Sequence, residues 1–257
     1  MPLDFDRYRA EIVTQAELLR GHVRGADPTS KVPSCPDWTL GQLLRHIGAG
    51  LDWAAEILRT RATAPLADDA LRNLEGYRDR APEPLADAAV EAAHRLADAL
   101  GEAGPDAEVW TAVPGEGPVF WARRFTHESL IHRADAALTV GAEYVTDPVI
   151  AEDALDEWLY LHTLPVMFDF HPQLRELLGP DRTLHFHATD VADAEWVVDL
   201  TGELITWRHA HEKSAVAARG SLTDLLLTVY GRRDVGVLDV VGDRDLLDFW
   251  LERVSFG

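Results

Sequence analysis

The chain has 257 residues, 47% of them hydrophobic and 26% charged, with a formal net charge of −20 and a single cysteine. That composition suits a soluble globular protein of one large or two ordinary domains. It argues against nucleic acid or an anionic membrane as partner and against a disulfide framework. No apolar run reaches the roughly 18 residues of a membrane span, and the opening MPLDFDRYRAEI lacks the apolar core of a secretory signal, so a cytoplasmic location is expected.

Taken in chain order, the first 140 or so residues read as helices. DFDRYRAEIVTQAELLRGHV places Phe5, Tyr8, Ile12 and Leu19 at helical spacing. TLGQLLRHIGAGLDWAAEIL follows, opened by Thr39 and Gln42 in the S/T-x-x-E/Q pattern of a capping box. The alanine-rich EPLADAAVEAAHRLADALGEAG is a third helix ending at glycine, and a fourth contains RRFTHESLIHRADA, residues 123–136. Between the last two, AEVWTAVPGEGPVFWARR holds turn residues and is expected to form a short strand pair. Four long amphipathic helices with one irregular crossover describe a bundle. DPVIAEDALDEWLYLHTLPVMF reads as a helix linking this part to the next. From about residue 183 the period changes: TLHFHATD, EWVVDLTGELITWRHA and VLDVVGD read as strands, with TGE as a turn, while SLTDLLLTVYGRR and DRDLLDFWLERV are helical. The expected fold is α+β in two domains, a four-helix bundle over 1–148 and a small α+β domain over 149–257.

The fourth helix carries the clearest chemistry. At about 100° per residue, Glu128, His132 and Asp135 share one stripe with Arg124 a turn before them, beside an apolar strip of Leu130, Ile131, Ala134 and Leu138. Ionisable groups at the edge of a core cost free energy unless they are paired or bind a metal. Glu128 and His132 suit zinc or a similar divalent ion, although an ion-paired face is the default for E-x-x-x-H alone. HESLIH is not a zincin H-E-x-x-H: His127 and His132 are five apart, about 140° round the helix, and do not converge. His46, in the second-helix stripe Leu43, His46, Gly50, Trp53, is either a core histidine or the third partner of an open site, with Gly50 leaving space for a ligand. Cys35 in VPSCPDWT is either a reactive thiol or a small buried hydrophobe. His185 and His187 in LHFH point to one face of a strand with no carboxylate at useful spacing, so a solvated face is expected there and for WRHAH. Trp38, Trp53, Trp121 and Phe125 are expected in the core or a pocket wall.

VPSCPDWTLGQLLRHIGA and RRFTHESLIHRADA together resemble the mycothiol-dependent maleylpyruvate isomerase family, and RGSLTDLLLTVYGRR and LDVVGDRDLLDFW extend the resemblance over nearly the whole chain. The resemblance implies a DinB-like N-terminal bundle in which His46, Glu128 and His132 bind a divalent metal, usually zinc. The open position would take the thiol of mycothiol, the low-molecular-weight thiol of actinobacteria, as a thiolate. Arg124 and Trp53 are candidate cofactor-binding residues. Asp135 is expected to orient an imidazole, or to act as base if the metal activates water instead. The C-terminal domain is expected to lean over the bundle mouth and to add a basic residue, Arg232 or Arg233. Two chemistries are implied: isomerisation by addition of the thiolate to a cis double bond, rotation and elimination, or thiol transfer to a small electrophile. Metal-assisted hydrolysis and a non-catalytic metal-binding role in stress or regulation remain open. So does the assembly, monomer or homodimer, and Cys35 is not expected to be the nucleophile.

Overall fold

Asp4 accepts a hydrogen bond from the Arg7 amide and so starts the first helix, α1 (Phe5–His22). A computed structural model describes residues 2–255, and the chain divides into two compact units at residues 144 and 145. After α1, a tight antiparallel pair, β1 (Lys31–Val32) and β2 (Cys35–Thr39), leads directly into α2 (Leu40–Thr60). The Thr39–Gln42 capping box is present, which satisfies amides that would otherwise be orphaned at a buried helix start. A short α3 (Asp69–Arg72) precedes α4 (Pro82–Ala103), which has proline in its first turn and stops at Gly104. α5 (Gly117–Val140) ends at Gly141, whose φ of 67° gives the left-handed turn that closes the helix.

α1, α2, α4 and α5 form the bundle, with α2 against α4, α1 against α4 and α5, and α2 against α5. Alanines on α4 let the helices approach: a Cβ at Gly48 of α2 would lie 3.6 Å from Ala89 Cα. α5 is buried along most of its length, which explains its polar groups on two sides. Towards α1, Arg133 donates to Gln15 at 2.6 Å, Gln15 donates to Glu11, and the Arg133 guanidinium lies 4.3 Å from the centre of the Tyr144 ring.

The strand pair expected within 107–124 is not formed; the strands of this unit lie at 31–39 instead. Pro118 suits the first turn of α5, and the preceding loop is tied to its surroundings by backbone groups. The Trp110 amide donates to Ala62 O at 2.6 Å, and Trp121 Nε1 donates to Trp110 O at 2.8 Å.

The second unit begins with α6 (Pro148–Thr163), capped by Asp147, then α7 (Met167–Phe170). Its sheet comprises β3 (Thr183–Ala188), β4 (Glu195–Asp199), β5 (Thr206–Arg208), β6 (Val216–Gly220) and β7 (Asp239–Gly242), in the order β5-β4-β3-β6-β7. Only β3 and β6 run parallel within this ladder. α8 (Leu222–Val229) and α9 (Arg244–Val254) are capped by Ser221 and Asp243. Leu184, Phe186, Trp196 and Val198 share the buried sheet face, where Phe186 meets Trp250 of α9 and Trp196 Nε1 donates to Asp156 of α6. Alternation along β3 sends His185 and His187 to the other face. The fold is α+β, and among the described residues no helix is long and apolar enough to cross a membrane.

Candidate functional site

Helical spacing puts Glu128, His132 and Asp135 on one side of α5, and α2 brings His46 to meet them. His132 Nε2 lies 3.3 Å from Glu128 Oε2, and its Nδ1 lies 2.8 Å from Asp135 Oδ2. The His46 ring meets that of His132 edge-on, 5.2 Å between centroids and 82° between planes. Arg124 Nε is 3.3 Å from Glu128 Oε1. Asp135 is fully buried and accepts a short hydrogen bond from Ser34 Oγ, while Trp38 stacks obliquely on His46 at 4.8 Å. Ser34 lies in the turn between β1 and β2 and Trp38 lies on β2. VPSCPDWT therefore brings Ser34 and Trp38 to the site, and Cys35 opens β2 between them.

Charge is distributed so that each group has a defined state. Burial, reinforced by the neighbouring His132, pushes His46 down to about 4, which leaves its imidazole neutral at pH 7; the Leu71 backbone holds it by a hydrogen bond. Burial opposes charge on His132 as well, but Asp135 and Glu128 outweigh it and raise His132 to about 9. Burial alone would raise Glu128; Arg124, His132 and His46 together hold its carboxyl well below the usual carboxylate range. The result is a neutral imidazole, a carboxylate and a second imidazole whose Nε2 proton stands where a divalent cation would otherwise balance the carboxylate. The donor set fits zinc or a similar ion. So does the Asp135–His132 bond, because a ligating histidine usually gives its other nitrogen to a carboxylate or carbonyl, which fixes ring and tautomer.

These groups line a cavity of about 330 Å³ with Gly50, Trp53, Trp110, Phe120, Trp121 and Phe125 among its walls. Trp121 meets Trp53 at 5.3 Å and 90°, and Trp53 meets Trp110 at 5.9 Å and 82°, the edge-to-face geometry aromatic quadrupoles favour. Gly50 does less for a ligand than its spacing suggested: a Cβ there would come 3.3 Å from Phe125 Cε1, so its missing side chain mainly makes room for that ring. His127 turns away from the cavity, fully buried against Tyr8 at 6.3 Å. A larger open groove of about 680 Å³ between α2 and α4 shares only Trp53 with the candidate residues and is edged by surface ion pairs such as Asp52–Arg95 and Glu56–Arg59.

Residues 9–137 match the mycothiol maleylpyruvate isomerase N-terminal domain, and residues 150–249 match the MDMPI C-terminal domain. The chain belongs to the mycothiol-dependent maleylpyruvate isomerase family. Crystal structures of the mycothiol-dependent maleylpyruvate isomerase share its fold. One is of a histidine-to-alanine mutant (TM-score 0.61, 15% identity) and one of the unmutated protein (TM-score 0.60, 16% identity), each alignment covering 93% of both chains. No curated protein matches the chain in sequence.

Of the other residues the family resemblance suggested, Arg232 and Arg233 fall in the second unit. Arg232 donates to Tyr230 O at 2.7 Å and Arg233 is ion-paired with Asp224 of α8. The sequence reading of the second-unit histidines needs correction. His185 and His187 do have a carboxylate, because the β3–β4 pairing sets Glu195 directly opposite His187, and the loop after β5 adds His211. Sequence spacing along one strand could not show this; aligning the two arms of the hairpin could have. His209, the other histidine of WRHAH, lies 3.0 Å from Asp156 Oδ1 through Nε2 and 3.0 Å from the Glu195 carbonyl through Nδ1.

Proposed function

We propose that the bundle cavity is the active site of a divalent-metal-dependent enzyme that uses mycothiol, with His46, Glu128 and His132 as metal ligands. The observation that carries this reading is that two imidazoles and a carboxylate meet at one aromatic-walled cavity, with His132 backed by buried Asp135. A metal held there would supply the Lewis acidity that keeps the bound mycothiol sulfur ionised at neutral pH, against a free thiol pKa near 8.5.

The chain's own groups prepare the site. Asp135 accepts from Ser34 and from His132 Nδ1, so it locks the His132 ring with Nε2 towards the cavity. The same two bonds leave Asp135 poorly suited to be the base of a metal-assisted hydrolysis, the role that reading would require of it. Arg124 holds Glu128 ionised and oriented. Trp53, Trp110, Trp121 and Phe125 exclude water from one side of the cavity and offer flat apolar walls to a small conjugated electrophile. Membership of the maleylpyruvate isomerase family favours cis–trans isomerisation of a planar unsaturated acid over thiol transfer.

The test incubates zinc-loaded full-length protein with maleylpyruvate and a panel of other electrophiles, with and without mycothiol, and separates isomers from conjugates by mass spectrometry. Isomer formed only when the thiol is present supports the proposal. Conjugate as the sole product would replace isomerase by S-transferase. Turnover independent of thiol, in protein shown free of carried-over mycothiol, would overturn the thiol mechanism.

A further inference from the structure

His185 and His187 on β3, Glu195 on β4 and His211 in the following loop each offer one ligand atom, and these atoms all lie within 4.8 Å of one another. The convergence is on a single atom: Glu195 Oε2 lies 2.7 Å from His185 Nε2, 3.0 Å from His187 Nδ1 and 2.6 Å from His211 Nδ1. The three rings stand edge to face about that point, with centroids 5.4 Å apart for His185–His211, 5.9 Å for His187–His211 and 6.0 Å for His185–His187.

We propose that His185, His187, His211 and Glu195 form a second metal site, for a divalent transition ion of the zinc class, which fastens the loop after β5 to the β3–β4 hairpin. Three observations favour a cation over hydrogen bonding alone. A carboxylate oxygen has about two lone pairs, so three imidazole N–H groups on one oxygen oversubscribe it, whereas a cation among the nitrogens would use their lone pairs. Tetrahedral zinc needs donors about 3.3–3.5 Å apart at Zn–N distances near 2.0–2.1 Å, so donors within 4.8 Å require only side-chain adjustment. The donor set also selects the ion, since three imidazoles and one carboxylate suit zinc, nickel or copper, whereas calcium and magnesium prefer oxygen.

The surroundings support the same reading. His185 is nearly buried and Glu195 largely so, which fixes half of the set, while His211 keeps 78% of its side-chain surface and can be recruited last. Its loop is anchored next door by His209, bonded to Asp156 and to the Glu195 carbonyl. A shallow depression of about 260 Å³, lined by Asp193, Glu195, His209, Ala210 and His211, gives an ion a route in from solvent.

The experiment measures Zn²⁺ stoichiometry and affinity in chelator-treated full-length protein by competition with a chromogenic chelator and by elemental analysis. Wild type is expected to take about two ions per chain if both sites bind. His187→Ala/His211→Ala, whose side chains are the more exposed members, is expected to lose one ion and leave the bundle site intact. Glu195→Gln, close in shape, should weaken second-unit binding at least tenfold. In His46→Ala/His132→Ala, which removes the bundle ligands, about one ion should remain, and its binding should shift the ring ¹⁵N resonances of His185, His187 and His211. An unchanged ion count and affinity in His187→Ala/His211→Ala, with that variant folded by circular dichroism, overturns the second site whatever the bundle does. A wild-type chain that binds one ion and loses it only in the bundle variant overturns it as well.

Discussion

In the bundle, imidazole and carboxylate groups come from two helices and sit behind a wall of indoles. In the second unit they come from a hairpin and a loop and lie on a sheet face. The first cluster has two carboxylates for one of its histidines: Glu128 faces the cavity and buried Asp135 fixes the ring behind it. The second has one carboxylate oxygen shared by three histidines. The difference teaches how the same side chains serve different ends. A ring backed by a buried acceptor beside a cavity keeps one nitrogen aimed at an exchangeable ligand, which suits catalysis. Donors that surround one point from three segments leave little room for a substrate, which suits a structural clamp.

The strongest way to break that comparison is His132→Ala. It should abolish metal uptake at the bundle while the second unit keeps its ion, as elemental analysis of the purified variant would show. Loss of both ions would mean that the clusters are not independent.

Asp135→Asn should do less. It leaves the ligands in place but weakens the bond that orients His132, so bundle metal affinity should fall roughly 10- to 100-fold in a chelator competition. Wild-type affinity would show that Asp135 serves packing alone.

A histidine held by a backbone carbonyl sharpens the contrast through pH. His162 of α6 is buried and its Nδ1 lies 2.6 Å from the Trp158 carbonyl; burial pushes it down to about 4. Its folded pKa lies below the unfolded value, so the unfolded chain binds the proton first. The stability this neutral ring permits is full above about pH 6.5 and is lost as pH falls towards about 4, at about 1.4 kcal/mol per pH unit. His132 in metal-free protein behaves oppositely. Its pKa is raised to about 9, so its contribution is full below about 6.5 and is lost as pH rises through about 9. An NMR titration of the imidazole Cε1 protons should find His162 neutral at pH 5 and His132 charged at pH 8; coincident midpoints near 6.5 would refute both assignments.

The smallest expected effect belongs to Cys35. Cys35 begins β2, and its neighbours Ser34 and Trp38 contact Asp135 and His46, so Cys35→Ala should retain most thiol-dependent turnover. A loss as large as that of His132→Ala would make the protein thiol the nucleophile.

What the sequence disclosed follows from the same geometry. Helical rotation per residue is nearly constant, so the stripe of Arg124, Glu128, His132 and Asp135 and the capping box at Thr39 could be read before any contact was known. His46 as a partner needed the family resemblance, because nothing in helix spacing says which other helix faces α5. Ser34 reaches Asp135 across 101 residues of chain through a two-residue turn, and no local pattern announces such a contact. Glu195 was missed because strand register, set by turn length and by the buried face of the hairpin, decides which side chains become neighbours. The strand pair was expected in the wrong loop for a related reason: proline and glycine mark a break in the chain, and a helix start uses them as readily as a hairpin does.

The three indoles at the cavity, Trp53, Trp110 and Trp121, lie close enough and at steep enough angles for their excited states to couple. Such coupling gives optical activity that depends on the mutual angle of the rings, so the protein carries its own spectroscopic gauge of the cavity wall. A small molecule that entered the cavity and tilted Trp53 against Trp121 would change the near-ultraviolet dichroism without any label, so occupancy could be followed in the unmodified chain.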